Sequence, residues 1–554
     1  MPEIILPGTY VTVRDEGLVT AGRVVTGNIG IVGTAEKGPL NEVKIIGSFT
    51  EAQELFGQAD EDYSSENTTP LTLMRAIELI FNNGGRTVYA VRTAQGAPLE
   101  TQLTFTSTAD KASVILKARS AGTWGNSIKV TFGAAEQGAV VKDVLRGNAT
   151  KLNRTTISNS KVNSVILQQK ATGLNLSYVV KYAAVNNANP EVFINPLTGA
   201  LTFTTLETHI PKAEDTLIVR YELPTKADLP TSTCQKVTFT AGNVKESYIV
   251  ADASNLAEQV NQRSTLFKSL NGKTDESAFF NDPLVKMTTI NGSNGAAAVA
   301  SDYRNSLAKI ENEQINIVLL AGQDATKASM MAVLAGHINK TADTRRERIA
   351  LVGCNGTTDV NEVAQHDFDS DRIIYVGPGL QVSPSETMTG SYTAAALAGL
   401  LSSLPVHISP TNKVLTLPGL NANYSSSQLE KLVLNRVLAV EKRNGFRIVK
   451  GITTATNSAW HQITTRRIVD YAIYGVRSGC NPYIGKLNNE RVRGAMKATL
   501  DAFLTRMVED EAMVSYDLAV TANRAQEIAG EAIVTMTLRP TFSIDFIRVT
   551  MYLG

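Results

Sequence analysis

Three short apolar runs, each followed by glycine, constrain this chain most: INIVLLAG at 315–322, RIALVGCNG at 348–356 and RIIYVGPG at 372–379. Helical stretches such as 328–338 lie between them. An unbroken apolar run of this length suits a strand covered on both faces. Strands alternating with helices suit a parallel sheet with helical crossovers. Residues 246–419 are therefore expected to be α/β. GNIGIVG (27–33) and TVYAV (87–91) have the same character near the start of the chain. Between them a helix is expected over 70–83, capped by Thr69, opened by Pro70 and stopped by Gly84-Gly85.

Residues 97–245 change character. They are rich in Thr, Ser, Val and Asn, with strand-like runs at 113–117, 128–132, 162–167 and 217–221 and turn signals at 195–196 and 198–199. This segment is expected to be an all-β insertion. Three helices are expected after residue 420, over 426–443, 464–477 and 489–512. Asn444-Gly445 turns the chain into a strand over 446–453. Two closing strands are expected, one around Val534, Met536 and Leu538 and one over 541–551, whose apolar phase shifts at Phe546-Ile547. At the other end, Tyr10, Val11 and Val13 mark a strand-like arm over 1–20.

The 554 residues suffice for several packed cores, but charge excludes two classes of partner. There are 53 basic and 52 acidic residues, for a net charge of +1, which gives no global attraction to nucleic acid or an anionic bilayer. No apolar run reaches the length of a membrane span, and the first residues lack the basic start of a signal peptide. Cys234, Cys354 and Cys480 are too few and too scattered for a disulfide framework or a zinc site.

Catalytic motifs fail on their details. In GNIGIVGTAEKG, Gly33 is followed by Thr34-Ala35 where a phosphate loop needs Lys and Ser/Thr. HDFDSD (366–371) spaces three aspartates like a calcium loop, but Arg372 and Pro378 stand where glycine and glutamate are required. None of the five histidines sits in a hydrolase motif. The best pair, Ser329 with His337, fits a plain helix. No catalytic residue, cofactor site or metal site is expected.

Several segments together resemble the contractile tail sheath proteins of phages and related injection machines. They are GIVGTAEKGPLNEVKIIGSFTEAQELFG (30–57), FNNGGRTVYAVR (81–92), GTWGNSIKV (122–130), NGFRIVKGITTA (444–455), Trp460 and TTRRIVDYAIYGV (464–476), in the family's order. They total 75 residues, mostly towards the two ends of the chain.

The resemblance implies a multidomain α+β fold. An inner α/β core would join 21–96 with 420–554, a β-rich outer domain would span 97–245, and 246–419 would form a subtilisin-like domain without protease function. It implies a structural subunit that polymerises around a tail tube and contracts to drive the tube through a target envelope for genome ejection. The runner-up readings are a tailocin or other injection-system sheath, and a multidomain hydrolase. The implied partners are further copies of the chain, a tube protein, and baseplate and terminator proteins, with no direct nucleic acid and no stable membrane insertion. The implied location is the virion tail, assembled in the host bacterial cytoplasm. Family members exchange terminal strands between subunits. That puts Tyr10, Val11 and Val13 at one end, and Ile544, Phe546, Ile547 and Val549 in an arm over about 541–554, in intermolecular pairing. A C-terminal helix that contacts the tube would leave Arg491, Arg493 and Lys497 on its outward faces.

Overall fold

The computed structural model describes residues 25–59, 70–106, 112–183, 189–204, 210–230, 232, 234–270 and 286–552. Tyr10, Val11, Val13 and Thr69 lie outside them. The chain divides into two compact units. One comprises the residues up to Ala35, Pro39–Gln95 and Ala296–Gly554; the other comprises Glu36–Gly38 and Gly96–Gly295.

The first unit is built on a nine-stranded sheet. Its order is Val43–Ile46, Val88–Arg92, Ile29–Gly33, Ile317–Leu320, Ile349–Gly353, Ile373–Gly377, Leu438–Lys442, Phe446–Ile448 and Val414–Leu415. The strands from Val88–Arg92 to Leu438–Lys442 run parallel, and antiparallel strands close both edges. Ile29–Gly33, Ile349–Gly353 and Ile373–Gly377 are buried at every position. Apolar side chains on both faces need cover on both faces. Leu73–Asn82 and Gly390–Ser403 cover one face, and Ala300–Lys309 and Ala328–Asp343 cover the other. Gly390–Ser403 lies so close to its neighbour that a Cβ on Gly399 would stand 2.2 Å from the Ile80 carbonyl oxygen.

This sheet redraws the expected domains. Ile29 pairs with Ile317 on one side and Val88 on the other, so 21–96 and the strands expected in a separate 246–419 domain share one ladder. The Leu73–Asn82 helix begins after Thr72, later than 70. The helix expected over 426–443 ends at Leu434, because Arg436 takes a φ of 63°. Val437 and Val440, which fall inside that expected helix, instead belong to a buried strand region beside Ile373–Gly377. Asn444 and Gly445, with φ of 49° and 99°, turn that strand back into Phe446–Ile448.

Among the described residues, the second unit contains a six-stranded, a four-stranded and a three-stranded sheet and the α-helix Ala253–Arg263. It continues to 295, beyond the expected limit of 245. The hairpin Gln235–Ala241 with Val244–Val250 straddles residue 245, and Lys286–Ile290 pairs with Gln102–Thr106 where the insertion began. Leu256 and Val260 fix the helix on the same core as Phe239 and Phe267.

After residue 455 come two long helices, Ile463–Cys480 and Glu490–Glu509, and a two-stranded ribbon, Met513–Thr521 with Ile533–Pro540. Met513–Thr521 is a strand additional to the expected elements. Conversely, 541–551 makes no ladder in this chain.

Candidate assembly surface

The N-terminal end of Ile463–Cys480 is tied to the sheet by charge. Arg466 donates to Asp371 at 2.8 Å and to Asp470 at 2.7 Å, and Arg372 clasps Asp470 through two bonds of 2.9 and 3.1 Å. The Arg466 guanidinium also lies 4.5 Å from the Trp460 ring centre. Further along, Arg477 forks onto Glu347 at 2.6 and 2.5 Å. Bidentate arginine–carboxylate pairs fix orientation as well as distance. Asp371, one of the aspartates with calcium-like spacing, therefore serves an ion pair. Asp369 accepts from the backbone and hydroxyl of Thr456.

The other suspected catalytic groups are also structural. The His337 ring nitrogen is 2.7 Å from an Arg348 nitrogen, and burial with that cation pushes its pKa down to about 3. Ser329 is exposed at the start of the same helix. The Thr34 amide, in the glycine turn, donates to Thr72. Burial pushes the Cys354 thiol up to about 12. Among the described residues no three His, Cys, Asp or Glu side chains are grouped to hold a metal, and no helix is long and apolar enough to cross a membrane.

What this region presents instead is backbone edge. Along the ribbon, Tyr516, Leu518 and Val520 face the same way as Val534, Met536 and Leu538, and all of these but Met536 pack in the apolar clusters around Glu490–Glu509 and its neighbours. Alternate residues, such as Asp517, Ala519 and Thr521 on one strand and Ile533, Thr535 and Thr537 on the other, face outward. The two strands pair only with each other among the described residues, so each keeps an outer edge of main-chain donors and acceptors. The helix Arg524–Ala529 joins them, capped by Asn523 and ended by Gly530 at a φ of 75°.

The chain then leaves its own surface. The Thr541 amide donates to the Ala512 carbonyl, the Ser543 amide to Gln462, and Gln462 to Asp545, which also faces Lys450 at 3.7 Å. Beyond this anchor Phe546, Ile547, Val549, Met551 and Tyr552 are 76–92% exposed, and Ile544 just before it is 79% exposed. Ile544, Phe546 and Tyr552 alternate with Ile547, Val549 and Met551, so an extended tail would carry apolar side chains on both faces.

The three basic residues of the long helix separate. Lys497 and Arg491 are exposed. Arg493 is not available as expected: it donates to Glu527 at 3.1 Å and to Asn488 at 2.9 Å, with its side chain 13% exposed. The turn helix after the ribbon's first strand supplies its partner, and the sequence offers no local signal of that contact.

Buried ion pairs used for fixation, open strand edges and an exposed apolar tail define a structural protein that builds polymers. Comparison with known proteins makes this specific. Residues 296–454 match the phage tail sheath protein central domain, and residues 455–554 match the phage tail sheath C-terminal domain. The tail sheath protein of Bacillus phage SP01 is 22% identical over 573 residues, covering 94% of this chain and 91% of its own length. Two solved structures share the fold. The sheath tail protein of Desulfitobacterium hafniense has a TM-score of 0.53 and 14% identity, covering 96% of this chain and 100% of that one. The sheath tail protein Lin1278 of Listeria innocua has a TM-score of 0.54 and 11% identity, covering 95% of each chain. The chain belongs to the phage tail sheath family and is a structural subunit of a contractile tail sheath, not an enzyme.

Proposed function

We propose that copies of this chain stack as rings around a tail tube, bound to one another by exchanged strands, and repack into a shorter, wider lattice that drives the tube through the target envelope. The observation that carries this reading is the coexistence of donor and acceptor in one chain. An apolar tail leaves a fixed anchor at Asp545, and a two-stranded ribbon offers open edges. A strand added to such an edge satisfies its backbone groups and buries alternate side chains. Three apolar side chains per face, at roughly 1.5–3 kcal/mol each, amount to about 5–9 kcal/mol per covered face.

Tyr10, Val11 and Val13 are assigned the same role on the second edge. Arg491 and Lys497 are assigned to the tube, while the engagement of Arg493 with Glu527 argues for a supporting role. Baseplate and terminator proteins would cap the polymer ends. Assembly is assigned to the host cytoplasm. The parallel sheet with helices on both faces is assigned as the non-catalytic subtilisin-like part of the fold. The full-length likeness to a phage relative favours a virion tail over a tailocin.

Deleting 541–554 tests the reading. We expect a folded subunit with unchanged thermal melting that no longer forms striated tubes by electron microscopy. Normal contractile tubes from the truncated chain would refute strand donation by this tail.

A further inference from the structure

In the inserted unit, a cleft of about 570 Å³ opens between the ladder of Val140–Arg146 with Thr216–Glu222 and the helix Ala253–Arg263. That lies inside the usual range of small-molecule sites, about 300–1,000 Å³. Its lining carries an arrangement that folding alone disfavours. Lys142 and Arg220 stand directly opposite each other across the antiparallel ladder, both exposed. Like charges at opposed positions destabilise a sheet. No carboxylate among the described residues forms an ion pair with either of them.

A third cation faces the same cleft and is held in place. Arg263 donates to the Gln259 side-chain oxygen and lies 5.2 Å from the Tyr248 ring centre. Gln259 is itself fixed by donating to the Ile249 carbonyl at 2.8 Å and the Asn255 oxygen at 2.9 Å. Glu246, beyond Tyr248, already accepts from Tyr248, Ser264 and both the backbone and hydroxyl of Thr265. Among the described residues Glu258 is the one carboxylate in the lining, and Gln262 donates to it at 3.2 Å. Three cations against one acid leave the cleft with an excess of two positive charges.

The remaining polar lining is amide and hydroxyl, including Gln137, Gln262 and Ser247. Such groups exchange hydrogen bonds with alcohols. Among the described residues no aromatic side chain lines the cleft, so the anchors typical of a protein interface are missing. Guanidinium and ammonium groups pair with phosphate or carboxylate, the former in bidentate geometry.

We infer that this cleft binds an anionic saccharide, a hydroxylated chain carrying phosphodiester or uronate groups, with Lys142, Arg220 and Arg263 holding the charge. The inference stands on the cleft alone and does not depend on sheath assembly.

The test is titration calorimetry on the full-length subunit at low salt. The probes are a glycerol-phosphate oligomer, a polygalacturonate oligomer and neutral dextran of matched length. We expect one anionic oligomer to bind, the one that does so identifying phosphate or carboxylate as the charge source, and dextran not to bind. K142E/R220E should weaken that binding about tenfold, the combined loss of several exposed charge contacts. K161E, a charge reversal at an exposed turn outside the lining, should leave it unchanged. Circular dichroism of each variant checks that the fold is kept. Absence of binding by both anionic oligomers, equal binding of dextran, or equal weakening by K161E would overturn the assignment.

Discussion

Asp545 and Lys450 face each other at 3.7 Å, with side chains only 12% and 21% exposed, and beyond them Ile547, Val549, Met551 and Tyr552 stand exposed. The Lys450 ammonium also lies 5.2 Å from the Phe546 ring centre. The pair sets the point and direction from which the apolar tail departs. Its modest exposure means that it helps orient the tail, while the tail's apolar surface carries the binding energy.

D545A should therefore leave monomer stability within about 1 kcal/mol of the parent, the usual worth of a partly screened pair. It should slow tube formation, because the free tail samples more directions before it meets a partner. Turbidity against time, with denaturation of the monomer as control, measures both. An unchanged assembly rate would remove the anchoring role.

The network around Asp470 predicts unequal costs for two arginines. Arg466 is 7% exposed by side chain and bridges two aspartates, whereas Arg477 is 35% exposed and holds one glutamate. Removing one partner of a buried pair costs about 3–5 kcal/mol, and solvent screening reduces that for an exposed one. R466A should lower the denaturation midpoint clearly more than R477A. The reverse order in urea titrations would contradict the packing described.

His337 predicts a pH dependence. Its folded pKa of about 3 lies below the ordinary histidine value, and burial is the main cause, with Arg348 adding to it. The unfolded chain therefore takes up a proton that the folded chain refuses. The resulting stability is full above about pH 6.5 and is lost progressively as pH falls towards 3, by up to about 1.4 kcal/mol per pH unit. H337Q keeps an acceptor for Arg348 and cannot titrate. Its stability should fall less steeply than the parent's between pH 6.5 and 4, as read by urea midpoints at several pH values. Parallel pH profiles would show that His337 titrates normally.

Much of this architecture was legible in the sequence where burial is complete. Ile29–Gly33, Ile317–Leu320, Ile349–Gly353 and Ile373–Gly377 are apolar on both faces, and such strands have few alternatives. The sheet order was not legible, because the pairing of Ile29 with Ile317 spans nearly 300 residues with no local trace. The segment around Val437 misled for a physical reason. Helical spacing and a buried strand place similar residues there, and the positive φ of Arg436 decides between them. Met513–Thr521 did carry a readable signal: Tyr516, Leu518 and Val520 alternate with Ser515, Asp517 and Thr521, the spacing of a strand that the long helix covers on one face. The tail residues Ile544, Phe546, Ile547 and Val549 were legible as an orphan apolar segment, but Arg493 looked exposed because Glu527 lies 34 positions away.

The basic residues of the long helix predict separable effects. R493E places a carboxylate against Glu527 and should destabilise the ribbon's turn, lowering the melting temperature. K497E changes an exposed charge and should leave melting unchanged while weakening co-assembly with a purified tube protein, most strongly at low salt. Sedimentation of tube–sheath mixtures across salt concentrations reads the second effect. If K497E and the parent co-sediment alike at every salt concentration, Lys497 does not face the tube.

The central claim is that donor tail and acceptor ribbon meet between copies. Cryo-electron microscopy of the assembled polymer tests it most directly, by tracing the chain from Asp545 onwards. The account predicts that residues 546–552 of one copy lie hydrogen-bonded along an outer edge of Met513–Thr521 or Ile533–Pro540 of a neighbouring copy. A tail folded back onto its own chain, with those ribbon edges unpaired in the polymer, would contradict it.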